Sequence, residues 1–373
     1  MARGVVESHR AAPAAVAAAA LVEGAEVRVH GEAAAGALWP DGPATTTATP
    51  FDLASVTKPL VALTMARLVR GGALQLDEPL ARFLPELATT ASADVPIVQF
   101  AAHRAGLEAH QKLYLPRLEG RAVEVLEASV AAANARRVDA QGACPPDGFA
   151  PVYSDMGYLL LGRALEARTG LALDELVARE VLAPLNVDGA MGSARRLRER
   201  PEFERSVAPT EIVEFRGGVV RGEVHDENAW ALVGDGLAGH AGAFGTAATT
   251  CAVGVAVLQA MRGLRDEWLT PGELAPLVRP RAGGSLRAGF DGRSGDSPSS
   301  GARLGPRTVG HLGFTGTSLW IDPDSGFVGV LLTNRVHPTR EHTAIRAARP
   351  WAYDAMYDTL TGSIDGKPPD PSG

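Results

Sequence analysis

Lysine is scarce in this chain, and one of its lysines lies close to a serine. The 373 residues include three lysines, Lys58, Lys112 and Lys367, against 33 arginines. An arginine keeps its proton in a protein, whereas a buried lysine can lose it near neutral pH. Lys58 follows Ser55 by three residues, and positions i and i+3 share one face of a helix. The amine could therefore reach the serine hydroxyl and activate it as a nucleophile.

Ser55 and Lys58 lie at the start of a predicted helix. Asp52 can cap the first turn of this helix, and Gly71-Gly72 can end its last turn. Between these ends, apolar residues recur at helical spacing at Leu60, Leu63, Ala66 and Leu68. The unpaired amides and the dipole of a first turn favour a developing negative charge. An exposed Ser/Lys pair with no chemical role is the alternative interpretation.

Segments with β-strand character lie near both ends of the chain. Residues 14–22 and 26–30 predict one hairpin, and residues 317–321 and 327–334 predict a second. Helical patterns are expected between and after them, at residues 107–115, 122–136, 158–169 and 351–360. This order predicts an α/β (α+β) fold, in which helices flank an antiparallel sheet built from both termini and a mostly helical domain is inserted.

The same pattern gives expected domain boundaries. Residues 1–70 and 245–361 would form the α/β domain, and residues 71–244 the helical insert. Residues 281–310 are rich in Gly, Ser and Arg without an apolar period, which favours a long loop or an irregular edge. The tail at residues 362–373 contains three prolines and is expected to be disordered.

Composition makes several classes of function improbable. The net charge of −7 and a pI near 5.8 argue against nucleic acid as a partner. Two distant cysteines and nine histidines without a ligand spacing predict neither a disulfide framework nor a metal site. The longest apolar run, residues 11–22, is shorter than the ~20 residues of a membrane span, so no membrane partner is expected.

The alanine-rich segment near the N-terminus bears on the compartment. It has the length of the apolar region of a secretory signal, but Glu7 interrupts the preceding region and no clear cleavage site follows. We therefore expect a cytoplasmic protein, with the periplasm or secretion as the alternative.

Three ordered motifs carry a resemblance to a known family. The segment FDLASVTKPL at residues 51–60, Tyr153-Ser154-Asp155 and His311-Leu312-Gly313 resemble the three motifs of the serine β-lactamase and penicillin-binding-protein superfamily. The similarity is to its class C-like branch, which includes esterases and D-amino-acid peptidases. VHDENA at residues 224–229 and GHAGAFGTA at residues 239–247 extend the resemblance over nearly the whole chain.

The resemblance implies a role for each matching residue. Ser55 would be the acylated nucleophile, and Lys58 with Tyr153 would take its proton and return it to the leaving group. The amides of Ser55 and of Phe314, the residue after Gly313, would form the oxyanion hole. His311 would line the same site. The family needs no cofactor, and its substrates are small esters, amides or peptides.

Two residues depart from the family pattern. Asp155 stands where many relatives have Asn, and an anion near Lys58 would keep the lysine charged, which makes Tyr153 the better base. His311 stands where the β-lactamases proper have a lysine that helps to hold the substrate carboxylate, and a largely neutral histidine is a weaker anchor. These departures favour an ester, or an amide other than a β-lactam, as substrate.

Several alternatives stay open from the sequence. The chain could be a D-amino-acid peptidase or a β-lactamase proper, an acyltransferase that passes the acyl group to an alcohol or amine, or a silent penicillin-binding-like module. His103 resembles a loop histidine of the family and is expected to be structural rather than catalytic. The sequence contains no feature that fixes the oligomeric state.

Overall fold

The computed structural model describes residues 1–364. Its main sheet has six strands in the order β2-β1-β11-β10-β9-β8, and all neighbouring strands are antiparallel. A three-stranded sheet has the order β3-β7-β4, and β5 pairs with β6. The strands are β1 Ala14–Glu23, β2 Glu26–Gly36, β3 Phe51–Asp52, β4 Met191–Ser193, β5 Ile212–Val213, β6 Gly218–Val219, β7 Ala243–Gly245, β8 Asp291–Gly292, β9 Val309–Leu312, β10 Ser318–Asp322 and β11 Phe327–Thr333.

Some helices pack on the two faces of the main sheet, and others belong to the middle part of the sequence. They are α1 Thr57–Arg70, α2 Leu80–Phe83, α3 Ile97–Ala101, α4 Leu115–Leu118, α5 Val125–Asn134, α6 Asp155–Thr169, α7 Leu173–Val177, α8 Ala194–Leu197, α9 Pro201–Ser206, α10 Glu227–Val233, α11 Ala247–Met261, α12 Pro271–Val278 and α13 Ile345–Ile364. None of the helices in residues 1–364 is long and apolar enough to cross a membrane.

Strand β1 is buried on both faces because it is made largely of alanine. Its side chains alternate between two cores. One side, with Val16 and Ala18, packs in the core that includes Val257 of α11, and the other packs beneath Tyr353 and Met356 of α13. Small side chains let both helices approach the strand closely. The predicted fold class, with a sheet built from both ends of the chain, is confirmed.

The segment expected to be a helix at residues 107–115 is not one. Leu107 forms an isolated bridge with Arg136, and helix α4 begins only at Leu115. The amide of Glu108 donates to the carbonyl of Ala135. Such bonds to distant backbone replace the local bonds of a helix, and apolar spacing does not reveal them.

The start of α1 also differs from the prediction. Asp52 lies on β3, Ser55 lies in the 3₁₀ turn Ala54–Val56, and the α-helix begins at Thr57. The Asp52 carboxylate accepts a hydrogen bond from the amide of Ala54 at 2.8 Å instead of capping the α-helix. The nucleophile candidate therefore precedes the helix that carries Lys58.

The last helix is longer than the predicted 351–360. It begins at Ile345 and ends at Ile364, because its buried face starts with Ile345 and continues through Leu360 against the sheet. The helix thus includes residues 362–364 of the tail that was expected to be disordered, and residues 365–373 lie outside the described residues. The middle of the chain also contains the short strands β4 to β6, and the domain boundaries stay a prediction.

Candidate active site

A cavity of about 490 Å³ opens where the end of β9 meets the starts of α1 and α6. The sequence-predicted site residues Ser55, Tyr153, Asp155, Gly313 and Phe314 line it. It is also lined by charged or titratable residues that the sequence analysis did not assign to the site, His110, His225, Asp226, Glu227, Arg335, Arg340, Arg346 and Arg349.

Lys58 is fully buried beneath Ser55 and bonds to three acceptors. Its Nζ donates to Ser55 Oγ at 3.0 Å, to Asp155 Oδ1 at 2.7 Å and to the carbonyl of His240 at 3.2 Å. An ammonium group has three protons to donate to such acceptors. The predicted reach of the amine to the serine hydroxyl is therefore present. Ser55, Lys58, Tyr153 and Asp155 are called the cavity floor below.

The charge on Lys58 is set by two opposing effects. Burial alone would lower the pKa of Lys58, but the charge of Asp155, supported by Tyr153, outweighs burial and raises it. Burial likewise opposes ionisation of Asp155, but the Lys58 ammonium holds the pKa of Asp155 well below its usual range. Lysine and aspartate thus form a charged pair at neutral pH, as the sequence analysis expected from an anion at position 155.

Tyr153 is held against the lysine by a histidine. The His103 ring stacks on the Tyr153 ring with centroids 4.6 Å apart, and Lys58 Nζ lies 4.8 Å from the centroid of the tyrosine ring. Burial raises the pKa of Tyr153, Lys58 opposes this, and Asp155 raises the pKa further. The net effect raises the pKa of Tyr153 above that of a free tyrosine, so its phenolate is the minor form at neutral pH.

His103 fixes the chain on both sides of this tyrosine. Its Nδ1 accepts a hydrogen bond from the amide of Ser154 at 3.0 Å, and the Ser154 hydroxyl caps α6 by accepting from the amide of Gly157. Burial, followed by the charge of Lys58, keeps the pKa of His103 well below its usual value. A neutral ring can offer this acceptor permanently. These contacts fit the structural role expected for His103.

The turn after β9 is fastened to the segment that precedes Ser55. Thr315 Oγ1 donates to the carbonyl of Asp52 at 2.7 Å, and Thr317 Oγ1 donates to the carbonyl of Leu53 at 2.9 Å. A Cβ at Gly313 would collide with the Thr317 side chain. These two hydrogen bonds bring the turn that contains Phe314 to the same cavity as Ser55. Two oxyanion-hole amides require such an arrangement.

His311 does not reach the cavity surface. Its side chain is buried, its ring centroid lies 6.0 Å from that of Tyr153, and its Nδ1 lies 2.8 Å from the carbonyl of Leu312. Burial, followed by the charge of Lys58, lowers the pKa of His311 to about 3. The histidine is therefore neutral at pH 7, and it lies behind Tyr153 rather than among the residues that line the cavity.

Four arginines form one wall of the cavity, and the sequence analysis missed them. This arginine wall consists of Arg335, Arg340, Arg346 and Arg349. Because 33 of the residues are arginine, the residue type carried no signal. Their position just before and within α13, which folds back over the end of β9, was the missing information.

The members of the arginine wall differ in their partners. Arg340 pairs with Glu211 and Glu227 at 2.6 Å each, and buried Arg349 donates to the carbonyl of Gly313 at 2.9 Å. Arg346 is exposed, and within residues 1–364 its guanidinium has neither a hydrogen-bond acceptor nor a carboxylate partner. Within that range, no protein carboxylate neutralises the guanidinium charge of Arg346 at the cavity.

His110 lines the cavity next to Asp155 of the cavity floor. Its Nδ1 lies 3.9 Å from Asp155 Oδ2, and its side chain is 41 % exposed. The interaction with Asp155 is the main cause of a raised pKa for His110. Trp230 and Trp320 are not among the residues that line the cavity. Trp320 is packed in the core beneath α13.

Comparisons with known proteins show the family of this chain. The Beta-lactamase family model matches residues 4–350. The chain is 28 % identical over 316 residues to an N-acetylmuramyl-L-alanine amidase of Bacillus subtilis, covering 78 % of this chain and 69 % of the relative. It is 27 % identical over 315 residues to a putative D-alanyl-D-alanine carboxypeptidase of Escherichia coli K12, covering 78 % of this chain and 70 % of the relative.

Solved structures share the fold. The structure of EstCE1, a hydrolase with promiscuous acyltransferase activity, has a TM-score of 0.66 with 19 % identity and covers 94 % of this chain and 96 % of its own. The family match, which spans residues 51–60 as well as the turn after β9, agrees with the resemblance that the three motifs carry. The chain belongs to the Beta-lactamase family and is a serine hydrolase of the kind that acts through an acyl-enzyme.

Proposed function

We propose that Ser55 is the acylated nucleophile and that Tyr153, paired with charged Lys58, is its base. The observation that carries this proposal is the hydrogen bond of Lys58 Nζ to Ser55 Oγ at 3.0 Å while the same amine is held at 2.7 Å by Asp155. A lysine that stays charged cannot accept a proton, but it stabilises a phenolate beside it. The proton of Ser55 would therefore pass to Tyr153.

In the acylation step, which starts from the phenolate form of Tyr153, Ser55 Oγ forms a bond to the substrate carbonyl carbon as its proton moves to the phenolate oxygen. The carbonyl oxygen would be stabilised by the amides of Ser55 and Phe314. Tyr153 then returns the proton to the leaving alcohol or amine as the carbonyl bond to that group breaks. Water completes the cycle by attacking the acyl carbon, with Tyr153 again taking a proton.

We further propose that the substrate is an ester or amide that carries an anionic group beyond the scissile bond. His311 is neutral and buried, so it offers no charge to such a group. Arg346 does offer one, since it lines the cavity without a protein partner within residues 1–364. The carboxypeptidase named among the relatives acts, by that name, beside a free carboxylate, and this supports the proposal.

Mass spectrometry of the intact protein tests the nucleophile. Wild type and Ser55→Ala are incubated with a fluorophosphonate and with p-nitrophenyl butyrate. We expect one covalent adduct and ester turnover in the wild type, and neither in the variant. Labelling or turnover that persists in Ser55→Ala would refute the assignment, and Ser318→Ala, a buried serine of β10, serves as the matched control.

A further inference from the structure

Two adjacent residues, His225 and Asp226, contact three separate parts of the active site. They precede α10, and neither was assigned a role by their sequence. The amide of His225 donates to Asp52 Oδ2 at 2.7 Å, while Asp52 Oδ1 accepts from the amide of Ala54 at 2.8 Å. One buried carboxylate therefore joins this segment to the residue just before Ser55.

That connection acts on a strained position. Ala54 has φ +47°, in the left-handed region that residues other than glycine rarely adopt. A hydrogen bond from its amide to Asp52 favours this conformation, and Asp52 is kept in place by His225. The orientation of Ser55, the next residue, thus depends on the hydrogen bond between His225 and Asp52, which are 173 residues apart in the sequence.

The side chain of His225 reaches the other half of the site. Its Nε2 lies 2.9 Å from Glu211 Oε2, and its ring stacks on Phe314 with centroids 5.7 Å apart and an angle of 17°. Phe314 carries one of the two proposed oxyanion-hole amides. The same residue therefore contacts the turn before the nucleophile and the turn after β9.

Asp226 connects to the lysine through a second histidine. His240 Nε2 donates to Asp226 Oδ1 at 2.9 Å, and the carbonyl of His240 accepts from Lys58 Nζ at 3.2 Å. His240 is 1 % exposed, and its Nδ1 has no partner within residues 1–364. The bond to Asp226 is thus the polar contact that orients this buried ring.

The position of Asp226 is itself fixed. Its Oδ1 accepts from the amide of Ala229 at 2.8 Å and caps α10. Burial opposes ionisation of Asp226, but the charge and hydrogen bond of His240 outweigh it and lower the pKa of Asp226. Asp226 is therefore a charged carboxylate whose position is fixed because it caps α10, and it orients the His240 ring.

We propose that His225 and Asp226 are positioning residues that hold Ser55, Lys58 and the Phe314 turn in one geometry. The inference rests on the proposed function, because it assigns these residues to the acylation machinery. His225 would act through Asp52 and Phe314, and Asp226 through His240. Displacement of reacting groups by about 1 Å can cost about 10²-fold in rate, so loss of either connection should slow acylation more than it weakens substrate binding.

Variants at Asp226 and His240 test the lysine arm. Asp226→Ala removes the acceptor, His240→Phe removes the donor while keeping a ring, and Asp226→Asn keeps an oxygen that can accept from both His240 and Ala229. The matched control is Thr270→Ala, which removes the cap of the distant helix α12. The rates measured are fluorophosphonate acylation of Ser55 by intact mass and kcat and KM for p-nitrophenyl butyrate.

We expect Asp226→Ala and His240→Phe to lower the acylation rate and kcat by about 10- to 100-fold, with KM changed less than about threefold. Asp226→Asn should recover most of the rate. Rates equal to those of Thr270→Ala in both disruptive variants would overturn the proposal. So would equal loss in Asp226→Ala and Asp226→Asn, since the retained oxygen would then not matter.

The scarcity of lysine supplies a readout that a merely structural role would not move. With ¹³C-lysine labelling, three side chains give signals, and Lys58→Arg identifies the one from Lys58. We expect the Lys58 ε-carbon signal to shift in Asp226→Ala and in His240→Phe, with the Lys112 signal unchanged. An unshifted Lys58 signal in a folded variant would show that His240 does not set the lysine position.

The two levels of proposal fail in different ways. If wild type acquires no adduct at Ser55 and does not turn over the ester, the proposed function fails. If wild type is acylated at Ser55 and the disruptive variants match Thr270→Ala, the function stands and only the positioning role is wrong. Should Asp226→Ala fold poorly in a melting experiment, His240→Phe carries the test, because the cap of α10 is intact in that variant.

Discussion

The cavity floor and the arginine wall both carry positive charge, but in different settings. At the floor, Lys58 is fully buried and its Nζ donates to Ser55, Asp155 and the carbonyl of His240. At the wall, Arg346 is exposed and free of partners within the described chain. The Lys58 ammonium is held in place by protein acceptors, which suits a role in the reaction. The Arg346 guanidinium has no protein partner within the described chain and is available to a ligand. The difference separates reactivity from substrate choice.

The largest expected effect comes from removing the charge at the floor. Lys58→Met should lower kcat/KM by about 10³-fold, within the range for loss of a group that assists proton transfer. Asp155 would lose its short ion pair and keep only the half-exposed His110 at 3.9 Å, so the melting temperature should also fall. Steady-state kinetics and thermal melting measure both.

The double variant Lys58→Met with Asp155→Asn separates these two effects. It should recover the melting temperature without recovering activity, because the buried charge is gone but the phenolate of Tyr153 still lacks its cation. An active double variant would contradict the role given to Lys58 at the floor.

Asp155→Asn is expected to move the pH profile rather than abolish activity. Asp155 raises the pKa of Tyr153 and that of Lys58, so its neutralisation lowers both. Because the base must be deprotonated, the acid limb of kcat/KM should shift to lower pH, and the loss of the lysine charge should bring the alkaline limb down as well. A profile extended above pH 10, the ordinary pKa of tyrosine, checks this, and an unchanged acid limb would argue against Tyr153 as the base.

At the arginine wall, Arg346→Ala should affect binding and not chemistry. For a butyrate ester whose leaving phenol carries a carboxylate, such as 3-carboxy-4-nitrophenyl butyrate, we expect KM to rise about fivefold, as for loss of an exposed ion pair of about 1 kcal/mol, with kcat unchanged. The neutral butyrate ester should show no change in either constant. The control is Arg28→Ala on the exposed strand β2. Equal effects on both esters would contradict the proposal that Arg346 binds the anionic group of the substrate.

The smallest effect concerns the support behind the wall. Burial opposes ionisation of Glu211, but hydrogen bonds from His225 and Arg340 outweigh it and lower its pKa to about 2, from 4.5. The stabilisation is therefore complete above pH 4.5 and is lost as the pH falls towards 2. Glu211→Gln should lower the melting temperature at pH 7, with a gap to wild type that narrows below pH 4.5. Exposed Glu341→Gln should show no such gap.

The contrast between floor and wall also separates what the sequence could predict from what it could not. Ser55 and Lys58 were found because lysine is rare and the spacing is local. Asp155 was recognised as a departure from Asn, and its effect on the lysine charge followed from electrostatics. The arginines of the wall could not be found in this way, since arginine is common in the chain and their cavity is formed by α13 folding over β9.

Errors in the fold have the same origin. The hairpins at both ends were predicted because alternation of side chains is a local pattern. The loop at residues 107–114 was mistaken for a helix because its backbone bonds go to residues near 135. Asp52 was placed at a helix cap because its partner His225 is distant in sequence. Local patterns predicted the elements, and the errors occur where a polar group bonds across the fold.

The pairing of β1 with β11 has a consequence for how the chain becomes active. The amide of Ala14 donates to Asn334 Oδ1 across 320 residues of sequence, and β1 lies between β2 and β11 in the main sheet. A growing chain on the ribosome cannot complete this sheet until residues beyond 333 have emerged. Contacts of such large sequence separation slow folding. The chain therefore has no hydrolytic activity during its synthesis, and activity appears only after β1 has paired with β11.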